Sequence, residues 1–263
     1  MKRLITGIMA IIAWLLLILL GPAPLFWLAI IALAGLAFSE YLGIALPAGN
    51  GKFIVPLCLF GILPVVASYH GSHSALLCGL FLSLAALMLF TLFCYNNLKQ
   101  PYEVVSRSAF GVFYIAFSSA HLVLLMGMPQ GRFWLLLLSA ITAASDTAAY
   151  YAGTLFGKNK LCPAISPGKT WEGFFGGLVG SLSAALVVKF FFLPDESNLW
   201  IVAIALLLCC LGVAGDLSES MLKRAFGTKD SGTILPGHGG LLDRIDSLLL
   251  TAPALYYLLL FMR

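Results

Sequence analysis

Ser74-Ala-Leu-Leu-Cys-Gly-Leu-Phe-Leu-Ser-Leu-Ala-Ala-Leu-Met-Leu-Phe-Thr-Leu-Phe-Cys-Tyr95 is an unbroken apolar run without one charged side chain. As a helix rising ~1.5 Å per residue it spans the ~30 Å hydrocarbon core of a bilayer. A helix is also one of the few structures that satisfies its own backbone polar groups there. The rest of the chain repeats this pattern. Its 263 residues are 61% hydrophobic and only 10% charged, with a mean hydropathy of +1.00, whereas soluble domains carry about 25% charged residues. Candidate spans lie near 4–20, 24–46, 53–69, 74–95, 108–128, 132–155, 173–192, 199–217 and 247–262. The second, sixth and eighth have polar ends, which leaves a count of eight or ten open. The expected fold is all-α, a polytopic transmembrane helical bundle of about nine spans.

Charge is unevenly placed along these spans. With the N-terminus in the cytoplasm, the inner side receives Lys2, Arg3, Lys52, Lys99, Arg107, Lys158, Lys160, Lys169, Lys223, Arg224, Lys229 and Arg244, and the outer side only Arg132, Lys189 and Arg263. That bias predicts an N-in, C-out topology. The run after Lys2-Arg3 is longer than the apolar core of a signal peptide, and further spans follow it, so it is expected to be a retained first span. Cys58, Cys78, Cys94, Cys162, Cys209 and Cys210 fall mostly inside apolar runs without zinc-type spacing, so neither a structural disulfide nor zinc is expected.

One integral membrane domain over 1–263 is expected. Residues 1–105 read as an apolar scaffold or lipid-contact region, and 106–263 as a catalytic region with two polar cytoplasmic loops, Gly157 to Gly173 and Leu217 to Asp246. The second loop gathers Lys223, Arg224, Lys229, Asp230, Asp243, Arg244 and Asp246 beside apolar spans. Ionisable side chains at a membrane are costly, and a functional site is the first reading of such a cluster.

If the eighth span stays helical past Asp216, that residue shares a face with Ser220 and Lys223. Asp243 and Asp246, three apart, point the same way on a helix. Carboxylates from two elements, with cations beside them, suit a magnesium-nucleotide complex, because Mg²⁺ often takes one or two carboxylates and fills its shell with water and phosphate oxygens. Helix capping is the plainer alternative for any single Asp. Pro236-Gly237-His238-Gly239-Gly240 permits close backbone approach to an anion. His238 is either a phosphate donor or acid, or simply a turn residue. In Ser166-Pro167-Gly168-Lys169-Thr170-Trp171-Glu172-Gly173, the Gly-Lys-Thr triplet is not a P-loop, since Pro163 stands where that motif needs glycine and no strand precedes it. Lys169 is instead a cation at a helix entry, where phosphate is favoured, or a lysine meeting lipid headgroups. Asp146, flanked by small residues in the sixth span, is expected to face the protein interior or a wet cavity.

The pattern Ser220-x2-Lys223-Arg224-x4-Lys229-Asp230-x-Gly232-x2-Leu235-Pro236-Gly237-His238-Gly239-Gly240-x2-Asp243-Arg244-x-Asp246 closely resembles the signature of the phosphatidate cytidylyltransferases, also called CDP-diacylglycerol synthases. Asp146-Thr147 and the Ser166–Gly173 segment are similar to the middle region of that family. The resemblance covers about the second half of the chain. It implies the reaction of CTP with phosphatidate to give CDP-diacylglycerol and pyrophosphate. It further implies dependence on Mg²⁺ (with a second cation such as K⁺ allowed beside it) and a homodimer in the lipid bilayer of a bacterial plasma membrane, and the charge bias places the site on its cytoplasmic face. No nucleic-acid partner is expected. Carried over position by position, Asp216 and Asp243 are the metal-binding carboxylates. Asp216, Asp243, Lys223 and Asp246 form the catalytic group. Ser166, Lys169, Thr170, Ser220, Arg224, Lys229, His238, Gly239, Gly240 and Asp146 are expected to bind substrate.

Two other classes fit the sequence less well. The CDP-alcohol phosphotransferases need a D-x2-D-G-x2-A-R-x8-G-x3-D-x3-D pattern, which is absent from the sequence. An ion-coupled transporter using Asp146 and Asp216 would be expected to show repeated halves with interrupted helices, and neither is evident. Nucleotidyl transfer to a different lipid phosphate, such as a polyprenyl phosphate, is the nearest alternative.

Overall fold

The computed structural model describes residues 2–232 and 239–261. Among these, eight helical runs are long and apolar enough to cross a membrane: Ala23–Ala45, Gly51–His70, His73–Phe93, Pro101–Met126, Gly131–Phe156, Trp171–Phe192, Asn198–Ala225 and Leu242–Phe261. The shorter apolar stretch Gly7–Leu19 lies within a further helix, α1 (Lys2–Leu20). Each expected span corresponds to one of these runs, and the fold is an all-α polytopic bundle. α2 (Ala23–Ala45) follows α1. The run Gly51–His70 is split into α3 (Ile54–Gly61) and α4 (Leu63–Ala67), with Pro64 in the first turn of α4, where its missing N–H costs nothing. α5 (His73–Phe93) comes next, and α6 (Pro101–Gly111) joins α7 (Ser118–Met126) through one wide π-helical turn. α8 (Gly131–Phe156), β1 (Lys160–Cys162), β2 (Ser166–Thr170), α9 (Trp171–Phe192), α10 (Asn198–Ala225) and α11 (Leu242–Phe261) complete the order.

The chain divides into two compact units, Met1–Met128 with Phe226–Ile245, and Pro129–Ala225 with Asp246–Arg263. In the first unit α2 is the core helix. Phe26, Ile30, Ala34, Phe38 and Leu42, at near four-residue spacing, are all fully buried. Glycines let neighbouring helices approach this face. A Cβ on Gly61 would overlap the Phe38 ring, and one on Gly111 would fall 2.6 Å from the Tyr41 ring. The C-terminal end of α2 is closed by Arg107, whose Nη1 donates to the Ala45 carbonyl at 2.5 Å. A cation there complements both the orphan carbonyls and the negative end of the helix dipole. Tyr41 returns the tie by donating its hydroxyl to the Arg107 carbonyl at 3.0 Å.

In the second unit α8 and α9 lie backbone to backbone. Cβ atoms built on Gly173 and Gly180 would come 2.9 Å from the Ala149 carbonyl oxygen and 2.7 Å from that of Ala144, and one on Gly176 would overlap the Ala152 side chain. Small residues on both faces permit such contact in helices that gain nothing from hiding apolar surface from lipid. α10 and α11 meet the same way, with Gly215 against the Asp246 carbonyl and Gly212 against Ser247 and Thr251.

Candidate active site

The second unit builds its polar cluster from a hairpin outward. The loop 157–173 carries a two-stranded antiparallel sheet, with Lys160 opposite Thr170 and Cys162 opposite Ser166. Its base is tied by Asn159, whose backbone N–H donates to both oxygens of Glu172 at 3.2 Å and whose Nδ2 donates to Oε1 at 2.9 Å. The Trp171 N–H donates to the Asn159 carbonyl at 2.9 Å. Thr170 ends the strand with extended backbone, and its Oγ1 accepts the Gly173 N–H at 3.1 Å, an N-cap for α9. That engages the Thr170 hydroxyl in the helix terminus. Ser166, also expected to bind substrate, sits half-buried at the start of β2.

Lys169, one residue before the cap, pairs directly with Asp216 of α10. α10 stays helical to Ala225, so Asp216, Ser220 and Lys223 fall on one face as expected, and the Ser220 hydroxyl donates to Asp216 Oδ1 at 3.4 Å. Asp146 of α8 and Asp246 of α11 each interact electrostatically with both Asp216 and Lys169. The close approach of α10 to α11 at Gly215 explains why Asp246 lies beside Asp216. Asp246 Oδ1 accepts the Ser247 N–H at 2.6 Å. Three carboxylates thus lie within electrostatic range of the Lys169 ammonium, and Asp216 pairs with it directly. Such a group carries a net negative charge and favours a further cation. Lys223 points to a residue the sequence reading passed over: its Nζ pairs at 2.5 Å with Glu219, which is 1% exposed. Arg224 is exposed.

The first unit holds the remainder of the signature. Asp243, in the first turn of α11, accepts the Gly240 N–H at 2.9 Å and the Ser231 N–H at 3.3 Å through Oδ2. The Gly240–Asp243 bond has the spacing of the reciprocal half of a capping box. Helix capping is therefore part of what Asp243 does. Gly239 is left-handed, φ +81°, a conformation few side chains tolerate. Lys229, Asp230 and Arg244 are exposed. His238 lies outside the described residues.

Glu40, on α2, is the larger omission. Its Oε2 accepts the Leu242 N–H at 2.9 Å and faces the Ser231 hydroxyl at 3.5 Å. A signal was present. Glu40 is the only acidic residue before Glu103, and it lies inside an apolar span, where an ionisable residue is a site candidate by default. Among the described residues, no three His, Cys, Asp or Glu side chains converge as a metal site by themselves.

The model of the cytidylyltransferase family matches residues 1–262. The phosphatidate cytidylyltransferase of Bacillus subtilis (strain 168) is 34% identical over 267 residues, covering 98% of this chain and 97% of that protein. The phosphatidate cytidylyltransferase of Staphylococcus haemolyticus (strain JCSC1435) is 37% identical over 263 residues, 98% of each chain. The enzyme of the same name from Staphylococcus aureus (strain COL) is 48% identical over 132 residues, half of each chain. The likeness therefore extends over the apolar first half, where the sequence alone offered only hydropathy.

Proposed function

The chain belongs to the cytidylyltransferase family, and from that premise we propose that it transfers the cytidylyl group of CTP to phosphatidate, giving CDP-diacylglycerol and pyrophosphate at a membrane surface. The observation that carries this reading is similarity over almost the whole chain to proteins named phosphatidate cytidylyltransferase.

In this reaction a phosphate oxygen of phosphatidate forms a bond to the α-phosphorus of CTP, and the bond from that phosphorus to the bridging oxygen of pyrophosphate breaks. The attacking oxygen is already anionic near neutral pH, so no strong base is needed. Repulsion between anions is the obstacle. Positioning and electrostatic stabilisation are what the protein must supply. Lys169, Lys223, Arg224 and Lys229 are the proposed phosphate-facing cations, with Ser220 and Gly239-Gly240 as further donors. Glu219, one turn before Lys223 on α10, steadies it by their 2.5 Å ion pair.

Mg²⁺ is the proposed cofactor. The donor chemistry fits it in kind: Asp146, Asp216 and Asp246 are hard oxygen ligands within electrostatic range of one another, and because no three such side chains converge among the described residues, water and phosphate oxygens would complete the shell. Asp216 and Asp243 are the residues proposed to hold it, a pairing that rests on the resemblance of the signature. When bound, the ion neutralises charge on the triphosphate and on the leaving pyrophosphate. A homodimer is proposed on the same resemblance. A site facing the cytoplasm is proposed from the distribution of Lys and Arg.

The test offers purified protein radiolabelled CTP with phosphatidate, with a polyprenyl phosphate, or without lipid. Labelled lipid with phosphatidate, lost on chelation of divalent ions and restored by Mg²⁺, is expected. Product with the polyprenyl phosphate alone would move the acceptor to that class, and no consumption of CTP in any arm would refute nucleotidyl transfer.

A further inference from the structure

Glu40 stands apart from every residue used above. It comes from the apolar first part of the chain, 202 positions from the residue it binds most closely. Its side chain is 7% exposed. A carboxylate is buried at large cost unless something holds it in place. Among the described residues, the hydrogen-bond partners of Oε2 belong to the two arms of the signature, while the buried Oε1 has none. Oε2 takes the Leu242 N–H, the first of α11, where the positive end of the helix dipole favours an anion. The same oxygen faces the Ser231 hydroxyl. Ser231 also reaches Asp243, because its N–H donates to Asp243 Oδ2, which takes the Gly240 N–H as well.

The packing is as specific as the hydrogen bonds. A Cβ on Gly240 would overlap Ser231 Oγ and come 2.8 Å from Glu40 Oε2 and from the Gly232 nitrogen. A Cβ on Gly232 would overlap Glu40 Oε1 and lie 2.7 Å from its carboxyl carbon. Both glycines are needed because two backbone strands close directly on the carboxylate. The sequence alone suggested close approach to a bound anion, and the anions that Gly240 approaches here are the protein's own Asp243 and Glu40.

We infer that Glu40 is a positioning residue for the reaction, a buried pin that joins the Ser231-Gly232 and Gly240–Asp243 arms of the signature and thereby fixes the Asp243 carboxylate. It rests on the transfer reaction proposed above. Glu40 acts through Ser231 and the start of α11, holding a donor framework from the opposite end of the sequence. An acceptor is required at this place, and its negative charge adds only the dipole contribution.

The test compares Glu40→Gln, which keeps an acceptor oxygen, with Glu40→Ala, which keeps none. Two measurements are made on full-length protein in detergent: amide hydrogen exchange, and steady-state kinetics with CTP and phosphatidate. In Glu40→Ala the Ser231, Gly240 and Leu242 amides are expected to exchange at least tenfold faster while buried amides of α2 stay protected. kcat is expected to fall about tenfold, the loss typical of leaving a buried donor unsatisfied, with KM for CTP changed much less. Glu40→Gln is expected to restore most of the protection and most of kcat. Unchanged exchange in Glu40→Ala would overturn the pin, whatever the activity. Equal loss of kcat in both variants with protection intact would also overturn it, since charge and not acceptance would then be what matters. Exchange needs no substrate, so a failure of Glu40 is distinguishable from a failure of the reaction itself, which the wild-type protein reports.

Discussion

Replacing Lys169 by Met removes the ammonium that pairs with Asp216, within electrostatic range of Asp146 and Asp246, while keeping a linear side chain of similar reach. The loss can be sized from its surroundings. A hydrogen bond to a charged group is worth about 1.5–3 kcal/mol when shielded, and exposed pairs about 0.2–1 kcal/mol. The Lys169 and Asp216 side chains are 23% and 32% exposed, between these limits. A value of about 1–2 kcal/mol follows, or roughly 5- to 30-fold in rate. Repulsion among the remaining carboxylates acts in the same direction. Lys169→Met is therefore expected to lower kcat/KM for CTP by that factor, and Lys169→Arg, which keeps the charge at a different reach, by less. Initial rates with radiolabelled CTP and saturating phosphatidate, on protein whose thermal unfolding matches wild type, measure it. If Lys169→Met stays within about twofold of wild type, the ion pair is a solvated rim contact and the cation has no part in binding phosphate.

Further outcomes are expected elsewhere in the chain. Asp243→Asn should abolish turnover in protein that still folds, because an amide oxygen can keep the Gly240 and Ser231 contacts but lacks the charge; full activity at low Mg²⁺ would remove Asp243 from the metal site. Gly180→Val should destabilise the second unit by ~1–3 kcal/mol of overpacking, because its Cβ would press on Ala144, and an unchanged unfolding midpoint in detergent would mean α8 and α9 pack less closely. A cysteine introduced at Lys229 in a cysteine-free background should escape impermeant thiol reagents in right-side-out vesicles; ready labelling there, with none in inverted vesicles, would reverse the topology.

The spans were legible because bilayer-length apolar runs are written locally. The stretch 74–95 is helical as α5, His73–Phe93. Ends were less legible where helix continues on polar residues. α10 runs past 217 to Ala225 because Glu219 and Lys223, one turn apart, pair along it. α11 begins at Leu242, before 247, where Glu40 accepts its first amide and Asp243 accepts the Gly240 N–H just ahead of it. The hairpin 160–170 gave no signal, since strands of three and five residues are too short for alternation to be read. Of the candidate site, the i, i+4, i+7 face of Asp216, Ser220 and Lys223 was readable from helical geometry. The role of Thr170 as a cap was not drawn from the sequence, although Thr before a helical run is a usual start signal. Glu40 was visible as an isolated carboxylate, but its partners lie 191 and 202 residues away, and no local pattern encodes such a pairing.

The most direct measurement follows the two ends of the nucleotide. Purified protein is given phosphatidate and Mg²⁺ with CTP labelled at the α-phosphorus in one reaction and at the γ-phosphorus in another. Transfer of the cytidylyl group requires α-label in the lipid and γ-label in pyrophosphate, in equal amounts. γ-Label in the lipid, or release of pyrophosphate without labelled lipid, would contradict it.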